Sequence, residues 1–168
     1  MTMQGLIEQY CKFLRLVCVL LLAAMVVMVM GNVVLRYGFN SGLLVSEELS
    51  RWLFVWMTFL GAIIALAERA HLGTDVLLAR IPKKARLVCL ILAQILMIYA
   101  SWLVLDGSLT QAELNWFVTA PVTGTPVWVF YASGVVFGIS SLWILLYGLY
   151  QLLRGRLPEE EDANQSHL

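Results

Sequence analysis

The residues that could carry chemistry are few in this chain, and most of them lie between positions 36 and 86. His71 and Asp75 are four residues apart and would share one face if that segment is helical. One histidine and one aspartate make a small ligand set for a metal ion, so we expect a hydrogen bond that fixes the loop instead. The other histidine, His167, is near the carboxyl end, so no pair of axial haem ligands lies within a span. The sequence therefore predicts no metal and no other cofactor.

A charged cluster of Glu47, Glu48 and Arg51 is the second candidate site. Each acid is three or four residues from the arginine, so either can form an ion pair with it on one helical face. The alternative is a solvated helix start whose acids complement the helix dipole. The chain has no P-loop, no zinc-ligand spacing and no nucleophile elbow. We therefore predict no catalytic residue and no enzyme activity.

Long uncharged stretches define the elements that position these residues. Hydrophobic residues make up 61% of the chain and charged residues 13%, whereas soluble domains are roughly 45–50% apolar. A bilayer core about 30 Å thick needs about 20 apolar residues in a helix. Pro121 and Pro126 divide the last stretch, because proline disrupts a helix interior. The predicted fold is an all-α membrane protein with four transmembrane helices, at about residues 14–36, 48–68, 86–106 and 127–153.

Basic residues are distributed unevenly between the ends of these spans. If both termini are cytoplasmic, the outer side carries only Arg36 and Arg51 among the 11 Lys and Arg residues. Because basic loops are retained in the cytoplasm, we predict that both termini are inside. A single transmembrane domain, residues 1–157, is then followed by an acidic, disordered cytoplasmic tail at 158–168. A net charge of zero gives no basic surplus for binding nucleic acid.

Small residues and aromatic residues mark faces on which the spans can pack. Gly134 and Gly138 form a close-packing step in the fourth span, and Gly61 with Ala65 forms one in the second. We favour packing within the chain over a contact with another subunit for such faces.

A stripe of Trp52, Trp56 and Phe59 on the second span is either a belt anchor at the membrane interface or a contact with a subunit or lipid. One cluster of basic residues is expected to contact anionic headgroups of membrane lipid: Lys83, Lys84 and Arg86.

The stretch from Arg36 to Asp75 resembles one family of membrane proteins. It contains an acidic pair and an arginine at 47–51, a Trp-x-x-Phe-Leu-Gly core at 56–61, and a histidine four residues before Asp75. This pattern, the chain length and the four spans are similar to the small membrane subunit of tripartite ATP-independent periplasmic (TRAP) transporters, the DctQ-like family. Thr74 departs from the aliphatic residue that is more usual before the aspartate.

The resemblance implies a multi-pass protein of the bacterial inner membrane that binds a large membrane subunit and works with a periplasmic substrate-binding protein. In this family the large subunit holds the substrate and sodium sites, and the small subunit is a noncatalytic scaffold for the import of organic acids such as carboxylates. The alternative is an assembly or anchor subunit of another membrane complex. A stand-alone exporter is disfavoured because the spans lack a mid-membrane carboxylate. The candidates for an interface with a subunit or lipid are Arg36, Glu47, Glu48, Arg51, Trp52, Trp56, Phe59 and Gly61.

Overall fold

Four long helices make up most of the computed structural model, which describes residues 3–68 and 83–153. They are α1 (Met3–Phe39), α2 (Leu44–Ala67), α3 (Lys83–Leu114) and α4 (Trp128–Leu153). Each contains a segment that is long and apolar enough to cross a membrane. The predicted all-α fold with four membrane-spanning helices is confirmed.

Several helices extend beyond the spans drawn from the sequence. α1 begins at Met3 and not near position 14, and α3 continues to Leu114, well beyond position 106. The uncharged stretches mark only the part of a helix that suits hydrocarbon, whereas the backbone hydrogen bonds of a helix continue into the headgroup region. α4 begins at Trp128, two residues after Pro126, as expected from the helix-breaking effect of proline.

The helices pack in a row whose order differs from their order in the chain. α1 packs on α2, α2 packs on α4, and α4 packs on α3. The two helices at the ends of the row, α1 and α3, therefore have one main neighbour each. Large apolar side chains on both are exposed, among them Val27 at 71% and Val88 at 65%. Such apolar surfaces suit lipid or a partner within the membrane.

The buried core lies where α1, α2 and α4 meet. Leu14 of α1 is buried together with Leu60 and Ile63 of α2, and Ile63 is completely inaccessible to solvent. A hydrogen bond of 2.9 Å between the hydroxyl groups of Tyr10 and Ser140 joins α1 to α4 at the edge of this core. The first part of α1 is thus fixed to both helices.

α3 and α4 approach closely at two glycines of α4. A Cβ atom added at Gly138 would lie 2.7 Å from the Cβ atom of Leu105 and 3.0 Å from its Cα atom, and one added at Gly134 would collide with the Ser108 hydroxyl. The small-residue face of α4 therefore packs within the chain, as the sequence analysis favoured. At Gly61, an added Cβ atom would meet no other atom within 4 Å, and Ala65 is exposed. The packing within the chain that was favoured for this step of α2 is therefore wrong, and that side of α2 is open.

Candidate functional site

Polar side chains gather where α1 ends and α2 begins. Asn40 takes a positive φ of 51°, which turns the chain after α1. Asn32 is only 9% exposed, and its side-chain oxygen accepts a hydrogen bond from the Leu43 amide at 2.7 Å. Ser46 donates to the Met28 carbonyl at 2.8 Å. These two side chains fix the start of α2 against α1, so the charged residues of its first turns lie at one end of the row.

Glu47 pairs with the neighbouring helix and not with its own. Its carboxylate lies 3.7 Å from a guanidinium nitrogen of Arg36 and accepts a 3.4 Å hydrogen bond from the Asn32 side chain. The ion pair with Arg51 that helical spacing suggested is formed by neither Glu47 nor Glu48. The reason is that the turn after α1 brings Arg36 beside one acid, while a loop supplies donors to the other.

Glu48 holds the segment between α3 and α4, which we call the α3–α4 hairpin (residues 115–127). Its carboxylate accepts hydrogen bonds from the Val122 amide at 3.0 Å and the Thr123 hydroxyl at 2.5 Å. The Thr123 amide is a third donor, at 3.4 Å. Bonds to an ionised acceptor are stronger than bonds between neutral groups, so Glu48 ties the first turns of α2 to this hairpin.

The α3–α4 hairpin is also ordered by its own backbone. The Ala120 amide donates to the Thr125 carbonyl and the Val127 amide to the Val118 carbonyl, both at 2.9 Å. Gly124 has a φ of 68°, which glycine adopts without strain. Proline and glycine signal a turn here in the sequence, but no sequence signal pointed to Glu48 as the residue that holds it.

Arg51 is exposed near the start of α2. It forms no hydrogen bond or ion pair with any residue in the described ranges, and it acts on Glu48 only through its charge. An exposed guanidinium with unused donors can bind an anionic group on another molecule.

The aromatic stripe of α2 faces α4. The ring of Trp52 lies 6.0 Å from that of Phe130, and the ring of Phe59 lies 5.5 Å from that of Phe137. Trp56 packs against the buried core. All three stripe residues are partly buried within the chain, and their predicted contact with a subunit or lipid stays a prediction.

An ion pair between Arg15 and Glu68 lies at the opposite end of α2. Sequence reasoning missed it, because the two residues are 53 positions apart and helical spacing reveals only neighbours on the same helix. Within residues 3–68 and 83–153, no group of three or more His, Cys, Asp or Glu residues could hold a metal ion.

The structure does not describe the side chains of the remaining predicted residues. His71, Asp75 and the acidic tail at 158–168 lie outside the described residues. The first turn of α3 contains the predicted headgroup cluster, Lys83, Lys84 and Arg86. The contact of that cluster with lipid stays a prediction.

Comparison with known proteins identifies the family to which this arrangement belongs. Residues 25–155 match the family described as tripartite ATP-independent periplasmic transporters, DctQ component. The chain belongs to this DctQ family.

Individual relatives agree with the family match. A Haemophilus influenzae protein, provisionally named TRAP transporter small permease protein, is 38% identical over 135 residues, which are 80% of this chain and 84% of the relative. The sialic acid TRAP transporter small permease protein SiaQ of Vibrio cholerae is 27% identical over 84% of this chain and 83% of its own length. The C4-dicarboxylate TRAP transporter small permease protein DctQ of the same species is 31% identical over 48% of this chain and 38% of its own length.

Membership of the DctQ family makes the chain a component of a TRAP transporter. It implies a complex with a large membrane subunit and a binding protein. The four apolar helices and the family together place the chain in the inner membrane as a multi-pass protein. The family favours this assignment over an anchor subunit of another membrane complex.

Proposed function

We propose that this DctQ-family chain is the noncatalytic scaffold subunit of a sodium-coupled secondary transporter that imports organic acids. The proposal rests on the lack of charge within the spans. An anionic substrate or a sodium ion needs polar or charged groups in place of its hydration shell, so the substrate path belongs to another chain. No Asp, Glu, Lys, Arg or His occurs in residues 16–35, 52–67, 87–105 or 128–153.

Several polar side chains inside the helices form hydrogen bonds within the chain. Gln94 donates to the Leu145 carbonyl at 2.8 Å, which joins α3 to α4. Ser133 is buried and donates to the Phe130 carbonyl at 2.7 Å, and the fully buried Ser141 bonds to a carbonyl of its own helix. Single hydroxyl and amide groups of this kind support helix packing, and none of these groups is left to replace the water around a substrate.

A scaffold needs a rigid surface on which the large subunit can dock. Arg51, Phe54 and Gly61 lie three and seven residues apart, so they share one side of α2. Arg51 and Phe54 are exposed and Gly61 is open to its surroundings. We assign this side of α2 to docking of the large membrane subunit.

The names of two relatives support an organic acid as the substrate class. One is a sialic acid transporter component and the other is a C4-dicarboxylate transporter component, and both substrates carry carboxylates. Contacts with the carboxylate would lie on the large subunit and the periplasmic binding protein.

The proposed orientation has both termini in the cytoplasm, because basic residues are concentrated on that side. The end of the row that carries Glu47, Glu48 and the α3–α4 hairpin then faces the periplasm. In the same orientation, Lys83, Lys84 and Arg86 contact anionic headgroups of the inner leaflet.

Reconstitution from purified components tests the proposal. Proteoliposomes with this chain and the large subunit, supplied with loaded binding protein, should accumulate a labelled organic acid under an inward sodium gradient without ATP. Omitting only this chain should abolish uptake, because the moving subunit loses its fixed frame. Undiminished uptake without the chain would refute the scaffold role, and uptake that ignores the sodium gradient would refute the proposed coupling.

A further inference from the structure

A cavity of about 410 Å³ lies between the end of α1 and the start of α2. Its lining combines the charged pair Arg36 and Glu47 with the apolar side chains of Val29 and Val33. Asn32, at the base of the α1–α2 turn, also lines it. The cavity thus has both polar and apolar residues in its lining.

The charged pair that lines the cavity has unused hydrogen-bonding capacity. At 3.7 Å, the nearest Arg36 nitrogen and Glu47 oxygen are too far apart for a hydrogen bond. The Arg36 and Glu47 side chains are 67% and 51% exposed, respectively. In the described ranges Arg36 has no hydrogen-bond partner, and Glu47 accepts one long bond from Asn32. A cation with free donors and an anion with free acceptors therefore stand side by side.

The position of this cavity along α1 coincides with a membrane boundary. Arg36 is the first charged residue after the uncharged stretch 16–35, so it marks the level at which hydrocarbon gives way to headgroups. Val33 and Val29 lie one and two turns deeper, and they are 43% and 45% exposed. Apolar surface therefore continues from the cavity toward the hydrocarbon, along the direction in which an acyl chain would run.

We propose that this cavity binds the headgroup of a phosphatidylethanolamine molecule. The lipid phosphate accepts hydrogen bonds from the Arg36 guanidinium, and the lipid ammonium donates to the Glu47 carboxylate. An acyl chain of the same lipid covers Val29 and Val33. Asn32 is a positioning residue, since its amide holds the Glu47 carboxylate in place.

The charges of the cavity discriminate among common phospholipids. Phosphatidylglycerol carries a phosphate and hydroxyl donors but no cation, so its net negative charge is repelled by Glu47. Phosphatidylcholine carries a cation without N–H donors, so it cannot hydrogen-bond to the carboxylate. Of these three lipids, only phosphatidylethanolamine offers both an anion to Arg36 and a cation with N–H donors to Glu47. This inference does not depend on the scaffold role or on the orientation of the chain.

Native mass spectrometry of the purified complex with the large subunit tests the inference. The complex is exchanged into detergent that contains equal amounts of phosphatidylethanolamine, phosphatidylcholine and phosphatidylglycerol. We expect the ethanolamine lipid to be retained at least about threefold over either of the others. Arg36→Gln and Glu47→Gln should each remove that preference. Lys12→Gln, which changes an exposed cation elsewhere on α1, should leave it intact.

Three results would overturn the inference. Two come from mass spectrometry: equal retention of the three lipids, and a preference that persists in Arg36→Gln or in Glu47→Gln. The third comes from a photo-crosslinking amino acid at Val33 in native membranes, which should capture lipid. Capture of a peptide of the large subunit at that position would make the cavity a protein interface.

Discussion

Glu48 connects parts of the chain that are 74 residues apart, because its carboxylate accepts a hydrogen bond from the Val122 amide. With the bonds from Thr123, this contact fixes the α3–α4 hairpin relative to the first turns of α2. Such a contact suits a scaffold subunit, because it holds the surface that binds the partners in one conformation.

Replacing this carboxylate should loosen the α3–α4 hairpin. In Glu48→Gln, one acceptor oxygen becomes an amide donor that faces the hairpin amides, so at least one bond is lost. Hydrogen exchange measured by mass spectrometry should be roughly tenfold faster in peptides that contain Val122 and Thr123. Glu113→Gln is the matched control, because Glu113 is an exposed carboxylate close to the hairpin in sequence and has no side-chain hydrogen bond among the described residues. Equal exchange in both variants would show that Glu48 does not hold the hairpin.

At the same end of α2, Arg51 is predicted to contribute to docking of the large subunit. Arg51→Glu would place three acids within two turns of the helix, and like charges at this spacing repel each other and an anionic partner. Co-purification of the large subunit should fall severalfold, whereas Lys12→Glu should leave it unchanged. If complex yield and uptake survive Arg51→Glu, the charged start of α2 is only a solvated helix end.

Helix packing depends on a close approach of α3 to α4 that only glycine permits. In Gly138→Ala, the new Cβ atom would come within 2.7 Å of the Cβ atom of Leu105, so the two helices must move apart. Overpacking of this kind costs about 1–3 kcal/mol, and thermal unfolding in detergent should occur several degrees lower. Gly61→Ala makes the same chemical change where no atom lies within 4 Å. Its unfolding temperature should match that of the unmodified chain, and similar losses in both variants would contradict the packing.

The helices themselves were predictable from the sequence, because membrane spans are selected by one strong property. Uncharged stretches gave the number and approximate place of α1 to α4, and Pro126 gave the start of α4. The row order α1–α2–α4–α3 was not predictable. Each helix is apolar on most sides, so its sequence pattern does not indicate which helix packs against which face.

Partners of the charged residues were predicted poorly for a related reason. Helical spacing identifies neighbours within one helix, and it suggested Arg51 as a possible partner of either acid. The structure pairs Glu47 with Arg36 and gives Glu48 the hairpin amides. These contacts join residues that are distant in the chain, and only the packed fold brings them together.

The charges of the whole molecule predict an orientation with both termini in the cytoplasm. Reporter fusions after Gly42 and after Gly124, in the α3–α4 hairpin, should report the periplasm. Fusions after Lys84 and Gly155 should report the cytoplasm, because nine of the 11 basic residues lie on that side in the proposed topology. A periplasmic signal after Lys84 would reverse the orientation and move the docking surface to the other side of the membrane.

We propose that this chain supports transport without providing the substrate path. Its four spans carry no Asp, Glu, Lys, Arg or His in their uncharged stretches, and crossing about 30 Å of hydrocarbon demands such groups or a water-filled route. The most direct measurement is flux of a labelled organic acid into proteoliposomes that contain this chain alone, beside liposomes with the complete transporter. The chain alone should match protein-free liposomes under sodium, proton or potassium gradients, whereas the complete transporter should accumulate substrate. Substrate flux through the chain alone above the protein-free level would contradict the scaffold role.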